Sequence, residues 1–404
     1  MVDRRLNPYT PNAGARPFAL AGRSEQQEHF QVLVHRLARG YTEKSMLLTG
    51  LRGVGKTVLL GDFARVASEI GWRVVEIEVP RADTDAEFRR QIAVGTRKAI
   101  LSLSTANRLR EKARRAVSVL RNFTVSVDPD GKLTAGITFE PAPGEADVGD
   151  LPQDLTDLFL SVGEAARESE SGVVYLIDEI QFLTRTQLEA LIMALHKTVQ
   201  KAVPVTVVGA GLPQIAKLSG DAKSYSERLF TFAQIGALSA DATRDALARP
   251  AADAGAQFSA DALDLCCETT QGYPYFVQEL GYAAWNMARN STIDTAVIQL
   301  AEPDYTARLD ASFFHVRLDR ATQREREYLR AMAELGPTPH GAGEVAGLLG
   351  RTVQQAGPLR AGLIKKGLLY STADHGLAQF TVPQFDSFIK RVMPTLTVTP
   401  MRSR

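Results

Sequence analysis

Apolar positions along the chain follow two periods. Ser24 opens a helical pattern in which Phe30, Leu33, Val34 and Leu37 share one face. Ser45–Thr49 is an apolar run of strand length, followed by a glycine-rich turn and a helical pattern from Lys56 to about Ile70. Trp72–Val79 alternates as a strand does. Helical sequence then runs, with one break, from Asp85 to about Leu120. Phe123–Val127 and Leu133–Phe139 flank Asp128-Pro-Asp-Gly131, which predicts a β-hairpin. The acidic, Pro/Gly-rich stretch Pro141–Pro152 predicts a loop. A helix over Leu155–Glu168 leads to the apolar strand Val173–Ile177, which ends in Asp178. A helix over Gln187–Val199 and strands at Val205–Gly209 and Leu229–Ile235 complete the series. Short apolar strands alternating with helices predict an α/β fold, a parallel sheet covered on both faces.

From Ser239 the strand signal stops, and helices are predicted at Ala242–Ala248, Ala260–Glu268 and Tyr275–Ala288. Beyond residue 320 come helices at Thr322–Leu335, Gly343–Leu349 and Val353–Lys366. Two strand-like pieces follow, Leu368–Ser371 and Leu377–Val382, about a turn at Asp374-His-Gly376. Three helices and a β-wing predict a winged helix-turn-helix. The expected organisation is an extended arm (1–22), a P-loop-bearing α/β core (23–238) with a hairpin insertion at about 122–140, an all-helical lid (239–318) and a winged-helix domain (319–404).

Composition narrows the classes. Over 404 residues the formal charge is +1, which excludes a polybasic nucleic-acid coat. The charge is uneven, however: from Arg320 onward there are 12 basic and 6 acidic residues, against 35 and 40 before it. Adjacent Cys266 and Cys267 make neither a disulfide framework nor a zinc site, and six scattered histidines offer no metal motif. No apolar run follows the N-terminal arginines and no stretch reaches the length of a membrane span. These features predict a soluble protein of a reducing compartment, the cytoplasm, with no membrane partner.

Gly50-Leu-Arg-Gly-Val-Gly55-Lys56-Thr57 fits G-x-x-x-x-G-K-[ST] at every defined position. Glycines let backbone N–H groups curl around phosphates, and the helix that follows presents its positive end. Lys56 suits the β- and γ-phosphates and the Thr57 hydroxyl suits Mg²⁺. Gly50, Leu51, Arg52, Gly53, Val54, Gly55, Lys56, Thr57 and Val58 are therefore the candidate ATP-binding set, with Arg52 either a cation by the phosphates or a solvent-exposed residue. The strand ending in Asp178-Glu179 is the natural partner. Asp178 would hold the metal beside Thr57, and Glu179 would polarise the attacking water.

Together the P-loop, the Val173–Glu179 strand, the helical segment and the terminal winged helix resemble an AAA+-type ATPase, over roughly residues 16–385. The resemblance is closer to the initiator-like (origin-recognition) branch and to prokaryotic STAND-type regulators. It implies an ATPase, slow or partner-stimulated, using ATP and Mg²⁺. Gly22-Arg23 resembles the family's N-terminal box beside the adenine, although a plain helix cap at Ser24 reads equally. Val205–Val208 sits where the family places its first sensor, but Gly209, Ala210 and Gly211 follow it. Gly272-Tyr273-Pro274 resembles the Gly-x-Pro form of the second sensor region, so Tyr273 and Pro274 are expected to line the base pocket with no second-sensor arginine. Arg228 occupies about the place of the arginine finger, acting in a nucleotide-dependent homo-oligomer; an ion pair to Glu227 or another surface acid is the alternative. The third helix of the winged domain carries Arg351, Thr352, Gln354, Gln355, Arg360, Lys365 and Lys366, with Lys390, Arg391, Arg402 and Arg404 nearby. That set fits contacts to duplex DNA, while the same fold also serves as a protein-docking module. Three readings stay open: a DNA-associated ATPase switch, a STAND-like signalling ATPase, and a nucleotide-binding module without turnover. The brevity of the chain beyond the wing argues for the first, or for a switch whose sensor is a separate protein.

Overall fold

The computed structural model describes every residue except 1, 13, 82–83, 104–110, 126–148, 224–225, 373–375 and 399–404. The chain divides into two compact units. One comprises Arg23–Thr49 and Lys56–Gln234; the other comprises Met1–Gly22, Gly50–Gly55 and Ile235–Arg404.

The first unit is built from α1 (Ser24–Ala38), β1 (Ser45–Thr49), α2 (Lys56–Glu69), β2 (Arg73–Glu78), α3 (Asp85–Ser102), α4 (Glu111–Val125), α5 (Leu151–Glu168), β3 (Val173–Asp178), α6 (Arg185–Gln200), β4 (Val205–Gly211), α7 (Ile215–Ala222), α8 (Ser226–Leu229) and β5 (Phe230–Gln234). Its five strands are all parallel, in the order β2-β3-β4-β1-β5. β1 and β4 are buried along their whole length and β3 up to Ile177. Burial on both faces is why these strands read as unbroken apolar runs rather than as alternation. The core gathers Leu47, Tyr175, Ile177 and Val207 of the sheet with Phe88, Phe159 and Leu191 of the helices. Inside it, Arg89 of α3 pairs with Asp154 of α5 at 2.8 Å and lies over the Phe123 ring at 4.9 Å.

Over Phe123–Val125 the chain is not the strand its alternation predicts, because α4 continues as helix to Val125. Ala113, Ala116, Val119, Leu120 and Phe123 are all buried, and their three- and four-residue spacing is a helical stripe. The remainder of the expected hairpin, to residue 140, lies outside the described residues. The loop expected to reach Pro152 ends earlier. Asp150 caps α5 through the Gln153 N–H, with Pro152 in the first turn, where a missing N–H costs nothing.

The second unit contains the arm, α9 (Ala240–Asp253), β6 (Gln257–Phe258), α10 (Ala260–Thr270), α11 (Pro274–Met287), β7 (Thr292–Ile293) and α12 (Thr295–Arg308). α12 continues through a π-helical turn at Leu309–His315 into α13 (Val316–Leu318). The arm is anchored: Tyr9 is buried, its hydroxyl donates to the Leu247 carbonyl at 2.6 Å, and the Trp285 indole donates to the Asp3 carbonyl. The segment 239–300, expected to be helical throughout, also carries β6 and β7, a two-residue parallel pair. After α13 come α14 (Gln323–Leu335), β8 (His340–Gly341), α15 (Ala342–Leu348), α16 (Val353–Lys365), β9 (Leu369–Ser371), β10 (Leu377–Phe380) and α17 (Phe385–Val392). The three strands form an antiparallel sheet in the order β8-β10-β9. No helix among the described residues is long and apolar enough to cross a membrane.

Candidate functional site

In the first unit the chemistry collects at the carboxyl ends of β1 and β3. Lys56 and Thr57 open α2, so their backbone lies in the turn whose N–H groups have no intrahelical partners. The Thr57 hydroxyl donates to Asp178 Oδ2 at 2.5 Å. A hydroxyl and a carboxylate oxygen, brought together from α2 and β3, are the two hard donors a magnesium ion takes from protein while keeping waters and phosphate oxygens for the rest of its octahedron. The residues present therefore fit Mg²⁺. Among the described residues no group of three or more His, Cys, Asp or Glu could hold a metal without a phosphate's help.

Glu179 follows at φ 53°, in the left-handed region, and its N–H donates to Asp178 Oδ1 at 2.8 Å. That turn takes Glu179 out of the strand direction. Its carboxylate Oε2 accepts a hydrogen bond from Gln181 Nε2. Gln181 is itself buried, and its Oε1 accepts from the Leu212 N–H at 3.1 Å, just past β4. Gln181 belongs to no motif and was not foreseen; the one sequence signal is a polar residue set between Ile180 and Phe182.

At the position expected for a first sensor, Gly209, Ala210 and Gly211 are buried. A Cβ on Gly209 would lie 2.6 Å from both Ile180 Cδ1 and Leu47 Cδ2, and one on Gly211 would lie 2.6 Å from Gln181 Oε1. A side chain at Gly209 or Gly211 would have to displace those side-chain ends, and the residues present carry no polar group to sense a phosphate. Arg228 is exposed on α8 and makes no ion pair with Glu227. Arg23 stands at the N-cap position of α1, ahead of Ser24, with no side-chain cap; it is largely buried, and desolvation lowers its pKa.

The glycine-rich loop, Gly50–Gly55, belongs to the second unit. A Cβ on Gly50 would fall 2.1 Å from the Ile235 carbonyl oxygen, so no side chain fits there. Gly53 and Gly55 adopt φ 85° and 94°, open only to glycine at low cost. Leu51 and Arg52 are half-buried and Val54 is buried. The Arg52 N–H donates to the Thr381 carbonyl at 3.2 Å. Tyr273 packs its ring edge against Gly53: Cε1 would be 3.0 Å and the hydroxyl 3.4 Å from a Cβ at that position. Burial raises the Tyr273 pKa, and its hydroxyl has no hydrogen-bond partner among the described residues. Pro274 is the first residue of α11, where its ring is favoured. Gly272 sits at φ 67°, its carbonyl accepting from the Leu238 N–H at 2.8 Å. Gly22 packs on Ala242 and Leu238. Tyr273 is thus brought to the loop, beside Gly53.

A parallel sheet in this strand order, with a glycine-rich loop after β1 and an acid at the end of β3, defines the P-loop NTPase fold. Residues 19–208 match the AAA ATPase domain, and residues 311–389 match a domain of unknown function (DUF8462). No curated protein matches the chain. Among solved structures the Walker-type ATPase PABY2304 of Pyrococcus abyssi is 15% identical, with 93% of this chain and 97% of that one covered and a TM-score of 0.57; the two share a fold. The Orc1 protein of Aeropyrum pernix in complex with DNA is 16% identical over 96% of both chains (TM-score 0.46). The RuvB Holliday junction branch migration motor of Thermotoga maritima is 16% identical over 93% and 98% (TM-score 0.45).

Proposed function

We propose that this protein binds ATP with Mg²⁺ and hydrolyses it slowly, as a nucleotide-controlled switch. The observation that carries this reading is the Thr57–Asp178 hydrogen bond at 2.5 Å, joining the end of the P-loop motif to the acid-ended strand. In this reading the backbone of Gly50–Gly55 wraps the phosphates, with Leu51, Val54 and Val58 shaping the loop and the start of α2. Lys56 neutralises phosphate charge, and Thr57 and Asp178 hold the metal, which when bound supplies charge stabilisation to the phosphoryl oxygens. Glu179 takes the proton of the attacking water and Gln181 fixes the carboxylate that does so. Gly22, Arg23, Tyr273 and Pro274 serve the base side, and exposed Arg228 reaches the nucleotide of a neighbouring copy in an oligomer.

The test is nucleotide binding and phosphate release with Lys56→Ala and Glu179→Gln. Lys56→Ala should lose ATP affinity by tenfold or more, roughly the worth of one charge-assisted contact. Glu179→Gln should bind ATP normally and release phosphate at least about a hundredfold more slowly. Wild-type affinity in Lys56→Ala would sink the reading.

Winged-helix character for residues 319–404 is supported by the order helix, strand, helix, helix, strand, strand. For its partner, the pairing of its basic residues favours a regulatory, STAND-like role over DNA contact. Arg351 pairs with buried Glu327 at 3.2 Å, Lys366 with Glu325 at 2.5 Å, and Arg391 with Asp310 at 2.5 Å, while Arg360 donates to the Leu377 carbonyl.

A further inference from the structure

The basic excess after Arg320 has a denser counterpart in the first unit. Arg90–Val125 carries nine Lys or Arg residues and a single acid, Glu111. Several of these cations are already engaged. Arg90 pairs with Glu87 at 2.6 Å and Lys112 with Glu164 at 3.0 Å, while Arg115 and Arg121 have interactions of their own. Arg97 and Lys98 of α3 and Arg114 of α4 differ: among the described residues no acid pairs with them. Lys98 and Arg114 are exposed and Arg97 is half-buried.

The arrangement of α3 gives these charges a context. Phe88, Ile92, Ala99 and Leu103 form its buried side. Arg90, Val94, Arg97, Lys98 and Leu101 stand on the opposite side, three or four residues apart, as neighbours on one helical face do. Val94 is 47% exposed and Leu101 43%, two turns apart with Arg97 and Lys98 between them. α4 packs beside α3 and adds Arg114. A single exposed apolar side chain needs no explanation. Two on one stripe, bracketed by unpaired cations, complement an amphipathic helix that carries acids beside its apolar face. A phosphate backbone fits this surface less well. It has no use for Val94 and Leu101, and three unpaired cations fall short of the roughly six to ten phosphate contacts of a firm duplex complex.

We infer that the exposed face of α3, with Arg114 of α4, is the docking surface for an acidic amphipathic helix of a partner protein. The apolar side chains of that helix cover Val94 and Leu101, and its acids meet Arg97, Lys98 and Arg114. The charges steer the approach and fix the register, while the apolar centre slows release. None of these residues belongs to the P-loop or to the acid-ended strand, so the surface stands or falls apart from nucleotide binding.

The test uses the full chain and a fluorescein-labelled synthetic helix of about 20 residues, long enough to be helical, with Leu along one face and Glu on either side of it. Binding is read by fluorescence anisotropy. Val94→Asp, and the double variant Arg97→Glu with Lys98→Glu, should each weaken binding by about tenfold or more. Exchanging the two cations, Arg97→Lys with Lys98→Arg, should leave it within about twofold. Every variant should keep the wild-type melting temperature, since no core contact is changed. Failure of the wild type to bind the helix overturns the assignment. So does equal binding of a scrambled peptide of the same composition, which would mean attraction to bulk charge. Tighter binding of labelled duplex DNA, lost in the same double variant, would make the face a nucleic-acid surface. Self-association lost in Val94→Asp would give it to a second copy of the chain. Either result replaces the partner helix.

Discussion

Gln181 is buried in a position that serves no core contact as economically as an aliphatic residue would. Its amide nitrogen holds the Glu179 carboxylate, and its amide oxygen satisfies the Leu212 N–H. A buried polar side chain is retained at a cost unless both ends are bonded, and here both are. Because it acts through the Glu179 carboxylate, it is a positioning residue. Gln181→Ala should lower turnover by about tenfold to a hundredfold with the ATP KM changed less than about twofold. Steady-state kinetics decides this, since a purely structural role would move KM and melting temperature together and leave no selective effect on turnover. Motif residues such as Lys56, Thr57 and Asp178 are legible because phosphate and metal chemistry demands those residue types at fixed places. Gln181 is not, since its role arises from what the fold sets beside it.

Legibility at the scale of elements follows a similar divide. β1, β3 and β4 are apparent in the sequence since continuous apolar runs of strand length admit few other structures between helices. The last turn of α4 departs from its local signal: Phe123-Thr-Val has strand propensity, but the buried stripe from Ala113 to Phe123 overrides it. α17 is not legible in the sequence because its eight residues, soon after Pro383, give too short a window, although Phe385, Phe388 and Ile389 are all buried. α3 and α5 are joined by a feature that propensity cannot express, the Arg89–Asp154 pair, with side chains 6% and 0% exposed. Removing one partner of a buried pair withdraws the charge that compensates the other, which costs about 3–5 kcal/mol, whereas exposed pairs are worth 1 kcal/mol or less, roughly. Asp154→Ala should therefore lower the unfolding free energy by about 3–5 kcal/mol in denaturant titration. Glu87→Ala, which breaks the exposed Arg90–Glu87 pair, should change it by less than about 1 kcal/mol. Equal effects would mean that Arg89 finds another partner or that water reaches the site.

For the whole molecule, the excess of basic over acidic residues beyond Arg320 pointed to duplex DNA, and charge counting cannot reveal how much of that excess is already matched. Phosphate contacts require cations free to release counterions at the surface. In the structure Arg351, Lys366 and Arg391 are paired with Glu327, Glu325 and Asp310, and Arg330 donates to the Met393 and Pro394 carbonyls. On α16 the exposed polar side chains include Gln354, Gln355 and Lys365, and on α17 Lys390 is exposed. Opening the Arg351–Glu327 pair to reach DNA would break a buried charge pair, a penalty that a single phosphate contact in salt does not offset. Binding to labelled duplex DNA, measured from about 50 to 200 mM salt with an ATP analogue and again with ADP, should then show a logarithmic slope shallower than about −3, as expected for two or three neutralised phosphates, and little difference between nucleotides. A slope of about −6 or steeper that appears with only one nucleotide would mean that those pairs open on nucleotide binding. The C-terminal helices would then be DNA readers gated by the phosphate chain, and the partner-protein reading would fall.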